Sequence, residues 1–267
     1  MIITLPNLNP NFIEIGKLSI RYYSLAYILG IIFSWWFVAK ANRHRHLMNS
    51  EAVEAWLNWA VLSIIIGGRV GYVLFYNPLY FLSNPLEIFA IWQGGMSFHG
   101  GLYGSIIGMM LFCKKYQVNF FKLTDIISVI APIGLFFGRI SNFINMELYG
   151  RVTNSNYGVI FPNVDNFPRH PSQLYEAFFE GLLMFFLLLF LYKKTNIKKI
   201  EGRLSGLFLM LYGVFRCLIE NFREPDYQLG TFFDVLTMGQ ILSIPIIAIG
   251  LMVFFKGHQI KFYNSKY

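Results

Sequence analysis

Apolar residues run with little interruption for eighteen or more positions at several places along the chain, and short polar stretches separate the runs. An α-helix rises about 1.5 Å per residue, so about 20 apolar residues span a hydrocarbon core of about 30 Å. The pattern predicts seven such helices, over 18–39, 52–75, 97–113, 123–140, 172–192, 204–222 and 236–255. The stretch 79–92 is also apolar, but it is short and flanked or broken by Pro78 and Pro85, which reads as an interfacial or re-entrant piece. There is no internal repeat and no low-complexity segment. The prediction is an all-α integral membrane protein: one polytopic domain over 1–267, with a small extracytoplasmic segment at about 141–171.

Composition and charge agree. Hydrophobic residues make up 55% of the chain and charged residues only 13%, against about 25% charged in a typical soluble domain. The net charge of +8 would suggest a nucleic-acid partner in a soluble protein, but here its placement assigns it to membrane topology. Fourteen of the 22 Lys and Arg residues fall in alternate loops, at 40–45, 114–122, 193–203 and 256–266. Only Lys17, Arg151, Arg169 and Arg223 lie in the other set. Basic loops stay cytoplasmic, so the N-terminus is predicted outside and the C-terminus inside. Met1 to Ile15 has no basic leader, and no small-residue cleavage site follows the first apolar run, so no cleavable signal peptide is expected. Cys113 and Cys217 fall at different predicted depths and read as small core residues rather than a disulfide.

The remaining four basic residues, Arg21, Arg69, Arg139 and Arg216, lie inside predicted spans. An arginine there costs several kcal/mol on insertion scales and is a functional candidate by default. The topology sets Arg21, Tyr22 and Tyr23 near the outer end of the first helix, and Arg69 in the outer third of the second. His99 falls at the outer end of the third helix, Arg139 and Asn142 at that of the fourth. Arg216 and Glu220 occupy the outer half of the sixth. Five helices thus carry their rare polar residues at one depth, while their cytoplasmic halves are apolar. Arg21 is suited to snorkelling. Arg69 has Glu220 as a possible ion-pair partner, and Arg216 and Glu220 form an i, i+4 pair. Taken together, the cationic groups describe an anion site facing the outer leaflet, where the available anion is a phospholipid phosphate, bound bidentately by guanidinium. Gly67 with Gly71, Gly100 with Gly104 and Gly108, and Gly134 with Gly138 have the spacing of close helix packing. The basic Arg43-His44-Arg45-His46 stretch has no acidic or thiol companions and reads as a solvated loop, not a metal site.

At these residues the sequence resembles the bacterial prolipoprotein diacylglyceryl transferases. The likeness runs over nearly the whole chain in ordered blocks: Tyr22-Tyr23-Ser24, the stretch Gly67 to Tyr72, and Gly94 to Gly101 around His99. The segment Gly138 to Arg151 follows, which looks like the family's hallmark, then Arg169 to Glu176, Tyr212 to Arg216 through Arg223-Glu224-Pro225-Asp226, and Met238-Gly239-Gln240. Two positions depart from the pattern: Ser141, where glycine is expected, and Met146, a glycine in many relatives.

The resemblance implies a multi-pass enzyme of the bacterial cytoplasmic (inner) membrane. Such an enzyme moves the diacylglyceryl group of phosphatidylglycerol onto the lipobox cysteine of a prolipoprotein signal peptide. A thioether forms, glycerol phosphate leaves, and no metal or other cofactor is needed. The roles follow from this chemistry. A thiol with a pKa of about 8.5 must lose its proton to attack well. Carbon–oxygen cleavage then raises the charge on the phosphate, which fixed guanidiniums stabilise most in the transition state. Arg139 and Arg216 are assigned to the phosphate. His99 is either the base or a hydrogen-bonding group for the headgroup. Tyr23, Asn142, Arg69, Glu147, Tyr212, Glu220 and Arg223 are expected to contact or orient the substrate, with Glu224 beside them. An anion transporter would show repeats or midplane polar groups, and a non-catalytic scaffold would not need arginines within its spans.

Overall fold

The computed structural model describes residues 2–6, 11–15, 18–225, 231–232 and 236–260. Seven long helices coincide with the seven predicted stretches: α1 Tyr22–Arg45, α2 Ser50–Phe75, α3 Phe98–Tyr116, α4 Phe120–Ile144, α5 Ser172–Lys194, α6 Arg203–Ile219 and α7 Met238–Lys256. Among the described residues five of them, α1, α2, α4, α5 and α7, are long and apolar enough to cross a membrane. The other two have 19 (α3) and 17 (α6) residues. Several helices extend beyond their apolar cores. Thus Arg43, His44 and Arg45 form the last turn of α1, where cations complement the carbonyl end of the helix dipole.

One boundary differs from the sequence reading. Residues Leu18–Arg21 form a strand paired antiparallel with Asn11–Ile15, and α1 begins only at Tyr22. Arg21 therefore ends a strand and does not lie inside a helical span. The run Leu-Ser-Ile-Arg alternates apolar and polar residues, which is the period of a strand, and the long apolar window concealed it.

The described residues gather into two compact units: Met1–Phe37 with Thr124–Ile260, and Val38–Leu123. In the second unit α2 packs along α3. Their backbones meet at Gly67, Gly71, Gly100 and Gly104, where any Cβ would collide with the facing main chain. Among the described residues, a Cβ at Gly134 or Gly138 would meet nothing within 4 Å, so that pair forms no such seam there. Between α2 and α3 the predicted interfacial piece forms three short helical turns, Pro78–Ser83, Pro85–Phe89 and Ile91–Gln93. Leu86, Phe89 and Trp92 on it are exposed.

In the first unit α6 packs along α7. The buried carboxylate of Asp125 on α4 caps α6, accepting bonds from the Gly202 and Ser205 amides at 3.0 and 2.8 Å and from the Ser205 hydroxyl at 2.7 Å. These amides have no helical partner of their own, and a carboxylate there also suits the helix dipole. At the opposite end of α4, the segment 145–171 folds over a small core of Leu5, Met146, Val159 and Phe161. Ile3–Thr4 pairs with Val159–Ile160 in parallel, and Gly150 bridges to Arg223. The turn out of α4 carries Met146 at φ +57° and Leu148 at φ +55°. That left-handed conformation explains why glycine suits position 146.

Candidate active site

The first unit gathers several charged residues of its helices in one cluster. Arg139 stands on the last turns of α4, Glu176 and Glu180 on α5, Arg216 on α6, Glu220 at the C-cap of α6 and Arg223 just beyond. Glu176 is fully buried and takes three guanidiniums. Arg139 Nε lies 3.2 Å from its Oε2, Arg223 Nη1 lies 3.4 Å from its Oε1, and Arg216 Nη1 bonds the same Oε1. Arg139 Nη2 also reaches Glu180 at 3.4 Å, and Arg216 Nη2 reaches Glu220 at 2.9 Å. Three guanidiniums therefore face three carboxylates, and their formal charges cancel. Such a balance is what allows charge to stay in a low-dielectric interior. Tyr212 lies one turn before Arg216 on α6.

Local structure sets this geometry. Residues Ala177–Leu183 of α5 wind as a π-helix, with bonds to the fifth residue instead of the fourth, and Glu180 sits within that wider stretch. Glu220 rests against the first turn of α7. There a Cβ on Gly239 would stand 2.6 Å from its carboxyl carbon, so a larger residue would push the carboxylate aside. A capping box between Thr237 and Gln240 fixes that turn.

The pairing leaves two donor groups open. Among the described residues, neither Nη1 of Arg139 nor Nε of Arg216 has a protein partner. Both side chains are slightly exposed, at 16% and 13%. Among the described residues, Glu176 Oε2, Glu180 Oε1 and Glu220 Oε2 are buried without a hydrogen-bond partner, so Arg139 Nε–Glu176 and Arg216 Nη2–Glu220 are ion pairs without a hydrogen bond.

A second group joins three more predicted residues. The Tyr23 hydroxyl donates to Glu147 Oε2 at 2.6 Å and accepts from the Asn142 side-chain amide. The Glu147 amide bonds the Asn142 carbonyl at 2.9 Å, and buried Gln173 donates to the Glu147 carbonyl at 2.7 Å. This group ties the start of α1 to the turn after α4 and the start of α5. Next to it in the 145–171 segment, Arg169 forms a pair with Asp165 at 2.6 Å, contacts Glu224 at 3.0 Å and lies over the Tyr149 ring. Arg169 holds the Asp165 carboxyl below its ordinary range, and Asp165 in turn raises Arg169. Burial lowers His170.

Arg69 is held by main-chain groups. Glu220 is engaged by Arg216, while Arg69 is buried in the second unit among main-chain carbonyls of Glu87, Ile88, Gly94 and Gly95. Residue 99 falls in the first turn of α3; the side chain of His99 lies outside the described residues.

The structure thus brings Arg139, Arg216, Tyr212, Glu220 and Arg223 together, and separately Tyr23, Asn142 and Glu147. Gln173 and Glu176 carry no role in the sequence beyond their place in the block Arg169 to Glu176, and Glu180 lies outside every block. Their signal was available, because a carboxylate in an apolar helix is as costly as an arginine.

A family profile described as prolipoprotein diacylglyceryl transferase matches residues 10–256. The chain belongs to that family. It is similar to the phosphatidylglycerol–prolipoprotein diacylglyceryl transferase of Rickettsia bellii (strain OSU 85-389), 53% identical over 254 residues, which cover 95% of this chain and 97% of the relative. The enzyme of the same name from Rickettsia typhi (strain ATCC VR-144 / Wilmington) is 52% identical over 247 residues, covering 92% and 95%. That from Rickettsia conorii (strain ATCC VR-613 / Malish 7) is 53% identical over 248 residues, covering 92% and 96%. Family membership together with the apolar helices makes the chain a membrane-embedded transferase of lipoprotein biosynthesis.

Proposed function

We propose that this chain transfers the diacylglyceryl group of phosphatidylglycerol to the lipobox cysteine thiol of a prolipoprotein signal peptide. The sulfur forms a thioether with the glycerol carbon, the carbon–oxygen bond to phosphate breaks, and glycerol phosphate leaves. The observation that carries this reading is the joint hold of Arg139 and Arg216 on Glu176, with one donor group of each still open. A phosphate reaching those donors meets guanidiniums already oriented by buried carboxylates, so little reorganisation accompanies the growth of charge. Glu220 and Arg223 frame the pair, and Tyr212 lies beside it. Tyr23, Asn142 and Glu147 orient the headgroup or the turn after α4. His99 is the candidate base or headgroup ligand. The decisive experiment mixes purified protein, phosphatidylglycerol and a lipobox peptide. A thioether product with one glycerol phosphate released per peptide is expected. Equal yield from phosphatidylethanolamine alone would show the donor to be wrong.

The same proposal places seven spans in the cytoplasmic membrane of a bacterium, with the N-terminus outside and the reaction at the outer leaflet. It is supported by the loop-by-loop bias of Lys and Arg and by seven helices at the predicted positions. Single cysteines replacing Asn84 or Asn163 should react with an impermeant reagent added to intact cells, and those replacing Asn49 or Asn196 should not. Outside labelling at position 196 would overturn the orientation.

A further inference from the structure

The segment between α2 and α3 has little interior of its own. Leu79, Leu82, Leu86, Phe89 and Trp92 are largely exposed, while Phe81 and Ala90 are the buried apolar side chains among its described residues. A backbone with so few packed side chains needs another source of order. That source is Arg69, whose side chain is 6% exposed. Its Nε donates to the Ile88 carbonyl at 2.8 Å and its Nη2 to the Glu87 carbonyl at 2.6 Å. Nη1 donates to the carbonyls of Gly94 at 2.7 Å and Gly95 at 3.1 Å. The guanidinium carbon lies 5.1 Å from the centre of the Phe81 ring and 5.9 Å from that of Tyr72.

Four of the five N–H donors of a guanidinium are thereby used, including the Nε–Nη2 edge that would grip a phosphate bidentately. Gly94 and Gly95 have φ of +86° and +78°, in the region that glycine alone occupies freely, and both of their carbonyls bond Arg69. The chain then runs directly into α3. The Ser97 amide bonds the Gly68 carbonyl at 2.8 Å, and the Ser97 hydroxyl oxygen accepts from the Gly100 amide at 3.1 Å as the N-cap. Position 99 lies two residues beyond that cap.

We propose that Arg69 is a positioning residue: it pins the backbone of residues 87–95 and so fixes the entry to α3 that carries His99. It makes no contact with the lipid phosphate. A lysine cannot replace it, because a single nitrogen cannot span carbonyls distributed from residue 87 to residue 95. The inference rests on the transferase reading only in its last link, through His99.

The test compares full-length wild type, Arg69→Lys and Gly95→Ala by hydrogen exchange and by steady-state kinetics. Gly95→Ala strikes the same contact from the other side, since a Cβ there would stand 2.8 Å from Arg69 Nη1 and 2.5 Å from the Tyr72 ring that lies against it. In both variants the amides of 87–97 should exchange about tenfold faster, with the middles of α2 and α3 unchanged. The kcat should fall about tenfold, while KM for phosphatidylglycerol stays within about twofold. Arg69→Lys combined with His99→Gln should be no slower than His99→Gln alone. Unchanged exchange at 87–97 would overturn the pin. A raised KM with normal kcat would make Arg69 a lipid ligand instead, and multiplicative losses in the double variant would break the route through His99. If His99→Gln abolishes turnover, the split between KM and kcat decides. If the wild type forms no thioether, the transferase reading fails, and the exchange data still judge the pin.

Discussion

Arg139 and Arg216 differ from Arg69 in what holds them, although all three sit on apolar helices. The first two are balanced by carboxylates, in a set of three guanidiniums and three acids. Arg69 is surrounded by neutral carbonyls, which solvate the guanidinium without cancelling its charge. A carboxylate partner is itself an ion, so a phosphate can compete with it or join it, and open donors remain to receive one. A carbonyl partner is part of the chain, so the arginine that binds four of them fixes shape. Hence the presence of an arginine in a span does not by itself identify an anion site; the partners decide.

The comparison breaks most readily at Glu176. Glu176→Gln removes the acid shared by three arginines and leaves three cations facing two anions. Thermal unfolding in detergent should report a loss of about 3–5 kcal/mol, the usual consequence of stranding a buried charge. Unchanged stability would mean that the cluster is wet and weakly coupled. A second test sharpens the chemical side. Arg139→Lys and Arg216→Lys keep a charge but lose the planar fork, so both should fold and lose about a hundredfold in initial rate, roughly 3 kcal/mol in the barrier. Normal turnover in both folded variants would reduce these arginines to structural ion pairs. The smallest effect is expected at Glu87. Arg69 binds its carbonyl and not its carboxylate, which instead accepts from the Tyr80 hydroxyl at 2.6 Å. Glu87→Gln should therefore change unfolding stability by less than about 0.5 kcal/mol. A loss like that at Glu176 would show that charge balance governs Arg69 as well.

Much of this was legible in the sequence because bilayers impose simple rules on length and charge. The seven helical stretches, the i, i+4 pair of Arg216 and Glu220, and the placing of Arg139 within an apolar helix all follow from apolar periodicity and rare charges. Glu180 lies in an apolar stretch outside the motif blocks, and acids report topology poorly, unlike basic residues. The strand at Leu18–Arg21 was hidden by an apolar window wide enough to include it. The partners of Arg69 could not be read at all, since every residue offers a carbonyl and none advertises which way it will point. The division into two packing units was equally silent, because it depends on which helix faces meet and not on their composition.

The π-helical stretch Ala177–Leu183 has a consequence for inheritance. A π-turn amounts to about one residue more than an α-helix needs over the same rise, and each residue of an α-helix advances the face by about 100°. Losing one codon inside this stretch would let α5 relax to regular winding while its two ends kept their outward faces. The membrane-facing surface would survive, and only the aim of Glu180 toward Arg139 would be lost. A lineage could therefore discard this part of the cluster through a single in-frame deletion and still make a helix that inserts, so a gap in this stretch of a relative's sequence would mark altered chemistry more surely than many substitutions elsewhere.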